Sequence, residues 1–70
     1  MDIRKQVGIN VRRLRERRDL SQEELGFEAE LHRTYISRVE RGIRNPTVTV
    51  VAKIAKALGV TPDQLLRPGR

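Results

Sequence analysis

Apolar residues recur at helical spacing along most of the chain. Ile3, Val7, Val11 and Leu14 share one face of a helix predicted over about residues 3–18. Arg4, Lys5, Arg12, Arg13, Arg17 and Arg18 lie mostly off that face. Gly8 costs such a helix about 1 kcal/mol relative to alanine. It either lets another element pack closely or is an unoptimised surface position. Ile9 lies off the stripe and has no assignment. Ser21 and Glu24 have the spacing of a capping box, and Leu20 and Leu25 that of a hydrophobic staple. They open a second helix that should end near Ala29. In a third helix, over about residues 33–41, Ile36 and Val39 turn inward, joined by Leu31. Gly42 suits its left-handed stop.

Asn45-Pro46 resists helix and suits a turn. Thr47 caps a fourth helix whose buried stripe is Val51, Ile54, Ala55 and Leu58, with Gly59 closing it. Thr61-Pro62-Asp63-Gln64 restarts a helix with a threonine cap, proline at the first helical position and glutamine completing a box. Leu65 and Leu66 follow, and the closing RPGR should fray. No stretch alternates in the manner of a strand. The expectation is an all-α, five-helix single domain over residues 1–70, with one compact core and no large pocket.

Composition narrows the function. A chain of 70 residues is near the lower size at which one core suffices. With no cysteine and one histidine there is no disulfide and no basis for a zinc site. No metal, cofactor or small-molecule effector is expected. Nor is an enzyme, since no Cys/His or paired-carboxylate arrangement accompanies a pocket. The formal charge of +6 favours nucleic acid or an anionic membrane surface. A membrane-surface helix should carry a broad apolar face with bulky aromatics; here the aromatics are Phe27 and Tyr35 alone. No apolar run spans a bilayer, and MDIRKQ lacks a signal-peptide core. The expected location is the cytoplasm, in association with the nucleoid.

The third helix would carry Arg33, Thr34, Ser37 and Arg38 on its outer side. A short basic protein presenting such a helix is suited to the DNA major groove. Arginine pairs bidentately with guanine O6 and N7, and threonine meets a thymine methyl or a base edge. Arg33 is equally suited to clamping a phosphate. Thr34 and Ser37 also read as small residues that let the helix approach.

The stretch LSQEELGFEAELHRTYISRVERG, from Leu20 to Gly42, resembles the helix-turn-helix of the Cro/CI-type, lambda-repressor-like (XRE-type) family. The family's usual form is L-S-Q-x-x-L-A, then A-G-L-S-x-x-x-I-S-x-I-E-x-G. The resemblance continues in V-x-x-L-R from Val11, in N-P-T-x-x-x-x-x-K-I-A-K-A-L-G-V from Asn45, and in TPDQLL. It implies five helices, the second and third forming the motif and the third lying in the groove. Arg33, Thr34, Ser37 and Arg38 become base-reading candidates. Gln22 matches a family glutamine that contacts a phosphate. Arg13, Tyr35, Arg41, Arg44, Asn45 and Thr47 are further phosphate candidates. Arg15 and Glu40 occupy the positions of a partly buried ion pair, which makes them structural.

Three positions depart from the pattern: Gly26 replaces the usual alanine, Glu30 the usual turn glycine or asparagine, and His32 the usual serine cap. Glu30 must then take a left-handed conformation or change the turn. His32 either caps poorly, reaches a phosphate or is simply exposed. Phe27 with AELHRTYIS resembles controller proteins of restriction–modification systems. The family's terminal helix implies a homodimer seam at Val60, Leu65 and Leu66, with one leucine facing each way. Glu23, Glu24, Glu28 and Glu30 form an acidic patch. It is either a solvated face or, through Glu23 and Glu28, a contact for RNA polymerase. The resulting expectation is a dimeric regulator on an inverted-repeat operator, repressing by promoter occupancy, with activation as a second output. The alternatives are an antitoxin-like protein-interaction module and a general RNA binder, the latter lacking an aromatic stacking platform.

Overall fold

Periodicity and capping together produce five helices: α1 (Ile3–Arg17), α2 (Gln22–Ala29), α3 (Arg33–Glu40), α4 (Val48–Leu58) and α5 (Pro62–Leu66). The computed structural model describes residues 2–68. Of the closing RPGR, Gly69 and Arg70 lie outside the described residues. The helix ends fall within a residue of those predicted.

Local chemistry sets each boundary. The Asp2 carboxylate caps α1 by accepting from the Arg4 N–H, a cap not foreseen from the sequence. Ser21 and Glu24 exchange the two hydrogen bonds of the capping box. The Thr47 hydroxyl accepts from the Val50 N–H. At α5 the Gln64 side chain accepts from the Thr61 N–H, while the Thr61 hydroxyl donates to Gln64. The four longer helices end alike, in paired backbone bonds that close over a left-handed residue. That residue is Gly42 after α3 and Gly59 after α4, but Asp19 after α1 and Glu30 after α2.

Inside lie Val7, Val11, Leu14, Leu25, Ala29, Ile36, Val39, Val51, Ile54, Ala55, Leu58 and Leu65. Leu20 and Leu31 are partly buried against them. Ile3 departs from its predicted stripe and is 48 % exposed, because it opens α1 beyond the reach of the core. Helix α2 packs on α3 and α4, α1 on α3 and α5, and α4 on α5. Gly8 serves close approach: a Cβ there would lie 2.5 Å from the Val39 carbonyl oxygen. Thus α1 crosses the end of α3 nearly backbone to backbone.

Among the described residues one polar residue is fully enclosed. The Asn10 amide donates from Nδ2 to the carbonyls of Leu65 and Arg67, each at 2.8 Å. These bonds satisfy carbonyls at the end of α5, which is too short to stand alone. No helix among the described residues is long and apolar enough to cross a membrane.

Candidate nucleic-acid interface

The site is α3 and the turn that aims it. Ile36 and Val39 are fully buried and fix one face of the helix. Arg33, Thr34 and Arg38 are exposed, and Ser37 is half-buried. The predicted reading residues therefore share the helix that the core immobilises. His32 caps it: Nδ1 accepts from the Thr34 N–H at 3.0 Å. The accepting nitrogen must be unprotonated, so the cap requires neutral imidazole.

The turn is built around the two atypical residues. Glu30 has φ 60° and ψ 40°, the left-handed conformation normally left to glycine. The Leu31 N–H then reaches back to the Gly26 carbonyl at 2.7 Å. This brings the Leu31 carbonyl over Gly26, where a Cβ would meet it at 2.5 Å. In this chain the alanine usual at that position would displace the turn.

Arg33 and Arg38 differ. Arg33 Nη1 lies 3.7 Å from Glu23 on α2, both side chains being well exposed. Arg38 has no ion-pair partner among the described residues. Around them, Arg41, Arg44, Asn45 and Thr47 are exposed. The Arg44 guanidinium lies 5.2 Å from the Tyr35 ring centroid, a cation–π arrangement that joins two phosphate candidates. The Thr47 hydroxyl oxygen accepts the capping bond, which leaves its O–H free to donate. Arg13 is half-buried, and its Nε has no hydrogen-bond partner.

Behind the turn lies the ion pair. Arg15 donates from Nε to Glu40 Oε2 at 2.6 Å and from Nη2 to Oε1 at 3.1 Å. Their side chains are 12 % and 4 % exposed. Hydrogen bonding to Glu40 raises the Arg15 pKa against the opposing effect of burial, so the guanidinium stays charged. Arg15 Nη1 also donates to the Leu20 carbonyl at 2.7 Å, tying α1 to the entry of α2. Gln22 joins the same carboxylate, Nε2 lying 3.0 Å from Glu40 Oε1. Sequence reasoning assigned Gln22 and Glu40 separately and missed this link.

The predicted seam divides. Leu65 is buried in the chain's own core and has no surface to offer a partner, which corrects its assignment to a dimer interface. Its side chain fills the gap between α1, α4 and α5. Leu66 is 47 % exposed and faces away, and Val60 is half-buried. On α2, Glu23 and Glu28 are exposed. Between them stands Phe27, 85 % exposed, which the sequence did not place at the surface. No cluster of three or more His, Cys, Asp or Glu among the described residues could hold a metal.

A helix-turn-helix family model matches residues 11–65, which span α1 to α5. The control protein C.BamHI of Bacillus amyloliquefaciens is 52 % identical over 93 % of this chain and 82 % of its own length. C.SmaI of Serratia marcescens is 46 % identical over 94 % of this chain and 79 % of its own. Among solved structures, the restriction-modification controller C.AhdI from Aeromonas hydrophila superposes with a TM-score of 0.86. It has 40 % identity and covers 89 % of this chain and 94 % of its own. A hypothetical transcription factor from Neisseria gives a TM-score of 0.92 at 43 % identity, covering 96 % of this chain and 77 % of its own. The chain belongs to the XRE-type helix-turn-helix family of DNA-binding transcriptional regulators.

Proposed function

We propose that the protein is a dimeric regulator that docks α3 into the major groove at each half of an inverted-repeat operator. The observation that carries this reading is the exposed set Arg33, Thr34 and Arg38 on a helix whose opposite face is fully buried. Arg38, free of ion pairs among the described residues, is the leading base reader; Arg33 is second, since it must leave Glu23. Thr34 and Ser37 allow close approach. Gln22, Tyr35, Arg41, Arg44, Asn45 and Thr47 meet phosphates. Arg13 flanks them. These contacts set docking register without reading sequence. Arg15 and Glu40 brace α1 against α3.

Exposed Leu66 and half-buried Val60 are the seam of the homodimer. Likeness to proteins named as control proteins supports the role of a restriction–modification controller, repressing by promoter occupancy. A hollow lined by Glu23, Glu24, Phe27 and Glu28 adds an acidic surface around an exposed ring. Such a surface suits a basic patch of RNA polymerase, which would give activation. In this reading the protein works by binding DNA rather than by catalysis, in the cytoplasm with the nucleoid.

The test is selection of bound duplexes followed by affinity measurement across salt. The expected site has two-fold symmetry, its half-sites about 34 Å apart centre to centre. Affinity should fall by roughly 10³-fold or more between 50 and 200 mM salt, as six or more phosphate contacts require. A selected site lacking symmetry, or salt-insensitive binding, would overturn the reading.

A further inference from the structure

We propose that Glu40 is a positioning residue for DNA docking, acting through Gln22. Its carboxylate, charge-balanced by Arg15, holds the Gln22 amide with nitrogen inward. One N–H is thereby spent on Glu40 and the other stays available to a DNA phosphate. The inference rests on the reading of Gln22 as a phosphate contact.

The geometry supplies the argument. Glu40 is almost completely enclosed and cannot reach DNA itself. Both its oxygens are engaged: Oε2 by Arg15 Nε, and Oε1 by Arg15 Nη2 and Gln22 Nε2. An ionised carboxylate only accepts hydrogen bonds. The amide therefore cannot flip, since its carbonyl would then face Glu40 oxygen at about the same 3.0 Å. A phosphate oxygen also only accepts, so a flipped or freely rotating Gln22 would offer it the wrong atom part of the time. Gln22 is half-buried as the first residue of α2, where a free glutamine would lose rotamer freedom on binding. Fixing it beforehand removes that cost from the binding step. The Arg15 charge matters here too, because an unbalanced carboxylate beside Gln22 would repel the phosphate. The ion pair is thus coupled to docking as well as to the helix crossing.

The test is a double-mutant cycle on one operator, measured below the melting midpoint of every variant. Gln22→Ala should weaken the otherwise unmodified protein about tenfold, and weaken all DNA sequences alike. In a Glu40→Gln background the same substitution should cost less than about threefold, the contact being no longer prepared. An equal tenfold loss in both backgrounds would show that Glu40 only supports the fold, and would overturn the proposal. No loss in the unmodified background would overturn the phosphate reading and the proposal together, a distinct outcome. Should Glu40→Gln fail to fold, the unmodified protein decides by NMR. In free protein the Gln22 amide proton bonded to Glu40 should lie downfield of its ordinary position, and DNA should move the other proton. A Gln22 amide pair at the ordinary shifts of a solvent-exposed glutamine in free protein would overturn the proposal.

Discussion

Glu23 and Glu28 lie on the same helix, yet only Glu28 is independent of the reading surface. The Glu23 carboxylate is 3.7 Å from Arg33. An exposed pair of this kind contributes at most about 1 kcal/mol, but it must open before Arg33 reaches a base. Substituting Glu23 would therefore alter operator affinity as well as any polymerase contact. Glu28 has no such pairing and isolates the second effect. For Glu28→Gln, transcription from a dependent promoter should fall several-fold, while operator affinity stays within about twofold. A parallel loss of operator affinity, or unchanged activation, would count against the polymerase surface. His32 and Arg15 show how identity misleads at this scale. The His32 imidazole commits Nδ1 to a helix cap and the Arg15 guanidinium is held in a buried pair, so counting basic residues overstates the charges free to meet DNA.

At the scale of elements, the termini carry most of the information. Glu30 occupies a left-handed position that costs a non-glycine residue roughly 1–2 kcal/mol. Glu30→Gly should recover part of this, the rest being offset by the greater freedom of glycine in the unfolded chain. The melting midpoint should rise by about 2–6 °C by calorimetry, with operator affinity kept. A lower midpoint would show that the Glu30 side chain supports the turn.

The boundaries were legible because caps are local. Ser21, Glu24, Gly42, Thr47 and Gly59 act on backbone groups within a few residues of themselves. The buried stripes of α1, α3 and α4 were legible through their 3.6-residue period, Ile3 excepted. What was not legible depends on contacts distant in sequence. Asn10 reads as one polar residue in a basic helix until α5 folds over it, 55 residues later. Gln22 and Glu40 meet only once α2 and α3 cross. Gly26 proved necessary because of where the Leu31 carbonyl falls. Phe27 was ambiguous because nothing local says which side of a short helix faces solvent.

For the whole molecule, charge and shape divide the work. The chain carries +6 overall, yet Glu23, Glu24 and Glu28 gather on α2, whereas Arg38, Arg41 and Arg44 lie on α3 and in the segment after it. In the proposed reading, net charge attracts DNA and the rigid placement of α3 selects among sequences. Asn10 extends this rigidity to the far end: it holds the backbone on both sides of Leu66, the exposed leucine of the proposed seam. The proposed reading helix and seam are thus fastened through α1, and the proposed dimer would take its half-site spacing from that arrangement.

The central claim is that α3 reads bases, and Arg38 tests it most directly. The measurement is the affinity of the parent and of Arg38→Ala for the selected operator and every single-base-pair variant of it, at one salt concentration. The parent should discriminate by about 1–3 kcal/mol at one position in each half-site. Arg38→Ala should lose discrimination at that position and keep it elsewhere. Uniform weakening across all sites, with the pattern of preference intact, would contradict the account and reduce Arg38 to a phosphate contact.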